Sequence, residues 1–134
     1  MLTTGARIAN YFGSEGRKSA MLRKDHPDPL VEIHPDAAAA GKINDGDWVM
    51  ISSPHGEAKF KARLTDGIDA CVVAADFGWW FPERSAPDFG WRESSINMLN
   101  EPAWARHPWR AFNARFVNFE GKSANLNSRS GNTE

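Results

Sequence analysis

Cysteine is almost absent from this sequence: Cys71 stands alone, so no disulfide can form within the chain. It sits in ACVVAA between small apolar residues, where a buried, unreactive core thiol is expected. Long apolar runs are missing too, and none approaches the roughly 20 residues that span a bilayer. The N-terminal MLTTGARIANYF lacks the charged-then-apolar pattern of a secretory signal. Nor is there an excess of one charge, since 16 Lys and Arg face 17 Asp and Glu for a net charge of −1. That balance excludes the basic stripe by which a domain holds nucleic acid. No internal repeat is visible.

What is present suits one ordinary soluble domain. The 134 residues are 41% apolar and 25% charged, enough for a real core. The charge is unevenly spread. Residues 1–30 carry five basic and three acidic groups, residues 31–93 six and eleven, and residues 94–134 again five and three. If the fold brings the two ends together, they make a weakly cationic face suited to a small anionic ligand.

Short strands are the clearest local signals. Residues 48–51 are β-rich after a Gly-Asp turn, and 59–64 alternate polar with apolar; Pro54, His55 and Gly56 between them make a hairpin. Further strands are expected at 30–33, 71–75 and 115–119. Pro35 suits the first turn of a helix through 37–40 that Gly41 caps. Ser94 or Ser95 can cap a turn over 96–99. The result is a mainly β barrel with long loops at 5–28 and 77–113. The compact unit is expected over 1–120. Residues 121–134, rich in Ser, Asn and Gly, read as a disordered tail.

The ordered set LTTGAR (2–7), YFGSEGR (11–17), PLVEIHPDAAAAGKINDGDWVMISSPHGEAKFKA (29–62), VVAADFGWWFPE (72–83) and ESSINMLN (93–100) resembles a known family. It is similar to the molybdopterin-dinucleotide-binding domain that ends the catalytic subunits of the dimethyl-sulfoxide-reductase superfamily of Mo/W oxidoreductases. The resemblance covers residues 2–118. It implies a six-stranded double-psi β-barrel with short helices. It also implies a bis-(molybdopterin guanine dinucleotide) cofactor carrying Mo or W. The metal's protein ligand would lie in another domain, so no catalytic residue and no redox activity are expected of this chain alone. The implied partners are the remaining domains or subunits of such an enzyme, without nucleic acid or membrane insertion. Relatives begin their first strand several residues before Leu2, so preceding chain or a partner subunit is expected. The SEGR loop and WWFPE resemble most the branch with polysulfide and thiosulfate reductases and acetylene hydratase. Substrate, compartment and the choice between Mo and W stay open.

The implied cofactor contacts are Thr4, Gly5, Arg7, Ser14, Glu15, Arg17, Asn97, Trp109 and Arg110. Five of them, Thr4, Gly5, Arg7, Asn97 and Arg110, also have a physical reason. A turn at Thr3-Thr4-Gly5 can present backbone N–H groups to an anion or heterocycle edge, though an ordinary strand-ending turn reads as well. Arg7 and Arg110 offer a planar fork of donors. Asn97 has donors and an acceptor for a pterin edge, or else caps its own turn. Gly13 stands where relatives often have His, and Asn100 where they usually have Thr.

Phe77, Trp79, Trp80 and Phe81 are expected to form an apolar patch toward the rest of the enzyme, with Trp91 and Trp104 in the same contact. A carbohydrate-binding module built on the tryptophans is one alternative, and a double-psi barrel of another class is a second. The four histidines, His26, His34, His55 and His107, sit in turn-like contexts without metal-ligand spacing. Asp45, Asp47, Glu83 and Glu93 read as turn and surface groups.

Overall fold

The computed structural model of the chain describes residues 1–3, 15–99, 115–118 and 123–125. The elements follow as β1 (Leu2–Thr3), α1 (Ala20–Asp25), β2 (Leu30–Ile33), α2 (Pro35–Gly41), β3 (Trp48–Ser53), β4 (Gly56–Leu64) and β5 (Val73–Ala75). Two 3-10 turns (Trp91–Ser94 and Ile96–Leu99), β6 (Arg115–Asn118) and β7 (Ser123–Asn125) complete them. The domain is mainly β with a few short helices.

The strands form one seven-stranded sheet in the order β1-β5-β2-β4-β3-β6-β7. The expected hairpin is there: β3 and β4 run antiparallel with Val49 opposite Phe60 and Ile51 opposite Ala58. On the other side of β4 lies β2, parallel to it from Leu30 opposite Lys61 to Ile33 opposite Leu64. A parallel pair needs a crossover, and here α2 and β3 make it. The pairing of β1 with β5 is also parallel, whereas β2 with β5 and β3 with β6 are antiparallel.

The alternation in β4 decides its two faces. Ala58, Phe60 and Ala62 are buried, while Lys59, Lys61 and Arg63 point outward to Trp48, Asp28 and Glu32. The inward residues join Val31, Ile33, Val49, Ile51, Val73, Ile96 and Leu99 in a single core cluster. On the outward face, exposed ion pairs such as Arg63–Glu32 contribute little.

Helix α2 begins as its sequence dictates. Pro35 occupies the first turn, His34 Nδ1 accepts the Asp36 N–H at 3.2 Å, and Ala38 is buried against the core. Its end differs from expectation. Gly41 stays inside the helix and Lys42 takes the left-handed conformation, with φ 54°. An L side chain is strained there, so Lys42→Gly is expected to raise stability by about 0.5–1 kcal/mol, read by urea denaturation. A loss would show that the exposed lysine side chain contributes more than its backbone costs.

Two further expectations need correcting. Cys71 is exposed, not a core thiol, because the strand starts two residues later at Val73; Cys71 lies in a turn where its N–H donates to Asp69 Oδ1 at 2.7 Å. And the chain past Glu120, expected as a structureless tail, supplies β7, which pairs with β6 from Arg115 opposite Asn125 to Val117 opposite Ser123. Among the described residues no helix is long and apolar enough to cross a membrane.

Candidate functional site

Three of the residues implied as cofactor contacts fall within the described structure: Glu15, Arg17 and Asn97. Thr4, Gly5, Arg7, Ser14, Trp109 and Arg110 lie outside the described residues, as do Gly13 and Asn100. So does the expected meeting of the first and last loops.

Asn97 stands exposed on the second 3-10 turn, between Ile96 and Leu99, whose side chains are buried in the core. The turn is held from below by the tip of the β3–β4 hairpin. Ser53 Oγ donates to the Leu99 carbonyl oxygen at 2.9 Å. Gly56 backs so closely on Met98 that a Cβ built there would sit 2.4 Å from the Met98 carbonyl oxygen. The backbone of the turn therefore has little freedom, and Asn97 is exposed on it. Just before it, Ser94 is fully buried and its hydroxyl has no hydrogen-bond partner among the described residues.

Glu15 is exposed on the turn preceding α1. Gly16 follows with φ 67°, and its carbonyl accepts the Ser19 N–H at 2.9 Å. Arg17 does not present its guanidinium outward: it is 1% exposed. Its Cζ lies 3.2 Å from the centre of the Trp79 ring, and Nη1 donates to the Trp80 carbonyl oxygen at 3.0 Å. The His26 ring lies 5.6 Å from Trp79, and Phe81 meets it edge-on at 6.5 Å. His26 Nε2 is 2.7 Å from Asp76 Oδ2, which also accepts the Leu30 N–H at 2.7 Å. One carboxylate thus joins the end of β5, the start of β2 and the segment after α1.

That packing takes Trp79 out of the expected patch. Trp79 is 4% exposed and lies within the chain, because Arg17 and its neighbours cover it; Phe77, Trp80 and Phe81 are half-buried, and among the described members of the patch Trp91, at 38%, is the exposed one, Trp104 lying outside the described residues. A carbohydrate platform of coplanar exposed tryptophans including Trp79 is removed with it. The carboxylates behave as expected of turn and surface groups. Asp47 accepts the Asn44 N–H at 2.8 Å and Asp45 that of Leu64 at 2.7 Å. Glu83 pairs with Arg23 and Glu93 with Arg84, each at 3.1 Å. Ser53 and Asp76 carry no sign in the sequence, Gly56 is marked there only as part of the Pro-His-Gly turn, and His26 only as a histidine without metal-ligand spacing.

The described residues thus offer a neutral hydrogen-bonding side chain, exposed on a braced turn of a mainly β domain. Comparisons with known proteins give the class. Residues 1–108 match the molydopterin dinucleotide binding domain, and the chain belongs to that family, a domain of molybdoenzymes of the dimethyl-sulfoxide-reductase superfamily. It is 40% identical over 97 residues to a dopamine dehydroxylase of Eggerthella lenta, covering 72% of this chain and 10% of that protein. It is also 40% identical over 78 residues to the F420-dependent formate dehydrogenase subunit alpha of Methanocaldococcus jannaschii, covering 58% of this chain and 12% of that one. Among solved structures, acetylene hydratase from Pelobacter acetylenicus superposes with a TM-score of 0.67 at 22% identity, over 73% of this chain and 14% of that one; this shows a shared fold. The chain spans about a tenth of the length of the first curated relatives it matches.

Proposed function

We infer that this chain holds the pterin of a bis-(molybdopterin guanine dinucleotide) cofactor, with Mo or W, in the catalytic subunit of an oxidoreductase. The observation that carries the reading is the exposed Asn97 on its braced turn, within the stretch that matches the family. The donor chemistry fits: a carboxamide offers two N–H donors and an oxygen acceptor to a heterocycle edge without a net charge to desolvate. The buried, unsatisfied Ser94 hydroxyl nearby is a second group that a polar ligand edge suits.

When bound, the cofactor supplies the redox chemistry at its metal, and the protein supplies binding and orientation. In this reading Thr4 and Gly5 offer backbone N–H groups, and Arg7 and Arg110 offer donor forks to pterin or phosphate oxygens. Ser14, Glu15, Asn97 and Trp109 complete the contacts, with Arg17 belonging to the Glu15 turn. The metal's protein ligand comes from another domain. The partners are the other domains or subunits of such an enzyme. The six-stranded double-psi barrel belongs to the same reading. Parallel pairings of β1 with β5 and of β2 with β4, inside an otherwise antiparallel sheet, support it, with β7 as an added arm on six strands.

Asn97→Ala is the test. Losing one hydrogen bond of about 1 kcal/mol is expected to weaken cofactor retention roughly fivefold. The readouts are metal content and pterin released by oxidation. The thermal midpoint is expected to stay in place, because the side chain is exposed. Equal pterin and metal in wild type and variant would reject the reading.

A further inference from the structure

We propose that Arg17 is a positioning residue: it fixes the Glu15 turn through Trp79 and Trp80 instead of touching the pterin itself. The inference rests on the cofactor-binding reading above and departs from the contact that the family resemblance implies for this arginine.

The geometry is specific to a guanidinium. A buried cation costs several kcal/mol unless its surroundings compensate. Here a flat indole face lies 3.2 Å from Cζ and a carbonyl oxygen takes Nη1 at 3.0 Å. A planar guanidinium can lie flat on the indole and still donate in its own plane, a combination that the compact ammonium of a lysine does not reproduce in this geometry. At 1% exposure the guanidinium lies inside the chain, held at Nη1 and over the Trp79 ring.

What it grips is itself fixed. Trp79 is buried beside His26, and His26 is tied to Asp76. Asp76 exchanges two bonds with Leu30: its Oδ2 accepts the Leu30 N–H, and its N–H donates to the Leu30 carbonyl at 2.9 Å. Arg17 thus couples a surface turn to the junction of β2 and β5. The exposed Glu15 stands two residues away, and Gly16 between them adopts a positive φ that lets the turn reverse while Arg17 stays inward. A rigid Arg17 sets where Glu15 is offered.

The experiment compares Arg17→Lys, Trp79→Leu, Trp79→Phe and the double variant Arg17→Lys/Trp79→Leu with wild type as the cofactor-loaded protein. Pterin released by oxidation and metal content per chain are read well below each thermal midpoint. Arg17→Lys and Trp79→Leu are each expected to lower retained pterin by about twofold to thirtyfold, the range of a cation–π contact. The double variant is expected to fall no further than the worse single. Trp79→Phe, which keeps a ring beneath the guanidinium, restores most of the retention lost in Trp79→Leu, a recovery that lost stability alone does not predict. Should Trp79→Leu fail to fold, Trp79→Met takes its place in the single and double variants. Full retention in the ringless Trp79 single beside loss in Arg17→Lys, or losses in both singles that add in the double, would mean direct contact, overturning the inference while the cofactor reading stands. A wild-type protein that takes up no pterin overturns the reading, and the inference with it.

Discussion

Phe60→Ala is expected to cost about 3–5 kcal/mol of stability, the range for emptying a buried aromatic site. Phe60 is fully buried at the middle of β4, facing Val49 across the hairpin. β4 is bonded on both edges, to β2 and to β3, so the backbone around the lost ring cannot easily close in. A domain is typically stable by about 5–15 kcal/mol, so the loss removes a large share of the total. The thermal midpoint is expected to fall by roughly 10–20 °C. Arg63→Ala, on the outward face of the same strand, removes only the exposed pair with Glu32 and is expected to stay within about 1 kcal/mol. Urea denaturation followed by circular dichroism checks both. A loss under about 1 kcal/mol for Phe60→Ala would mean that the core collapses into the gap.

The contrast between those two positions was legible in the sequence, because strand alternation is a local property. So were β2, the hairpin and α2, each marked by β-branched runs, a Pro-His-Gly turn or a proline at a helix start. Register and partner order were not. Nothing in residues 30–33 says that they lie parallel to β4 and antiparallel to β5, since the crossover that permits it is set by packing. β1 has two residues and β7 three, too short for any period to show. β7 also lies in a Ser- and Asn-rich stretch, where pairing with β6 overrides a poor β composition. Cys71 was misplaced for a related reason: its neighbours are apolar, but Asp69 draws its N–H into a turn before the strand begins.

The site was legible where it is local and hidden where it is not. Asn97 stood out as a polar group in an apolar turn, and the structure leaves it exposed. Arg17 read as a cofactor contact, with nothing local to show its burial, because its hydrogen-bond partner lies 63 residues on. Trp79 read as surface for the same reason in reverse. The His26–Asp76 contact spans 50 residues, and neither member carries a local signature.

Gly56→Ala is expected to act on stability and on the site together. The added Cβ would meet the Met98 carbonyl oxygen at 2.4 Å and its carbon at 3.4 Å. Both are backbone atoms, so no side chain can swing aside. The hairpin tip and the 96–99 turn must part by roughly 1 Å to reach ordinary contact distance. Forcing them apart is expected to cost about 1–3 kcal/mol, as for other overpacked sites. The Ser53–Leu99 hydrogen bond spans the same gap at 2.9 Å and stretches with it. Asn97 rides on the displaced turn, so retained pterin is expected to fall alongside the thermal midpoint. Ser53→Ala separates the two effects: it removes the bond without the clash, and its stability loss of about 1 kcal/mol should come with a smaller loss of pterin. If Gly56→Ala lowered stability yet kept full pterin, Asn97 would not depend on the hairpin for its placement. If it changed neither, the close approach of Gly56 to Met98 would not persist in solution.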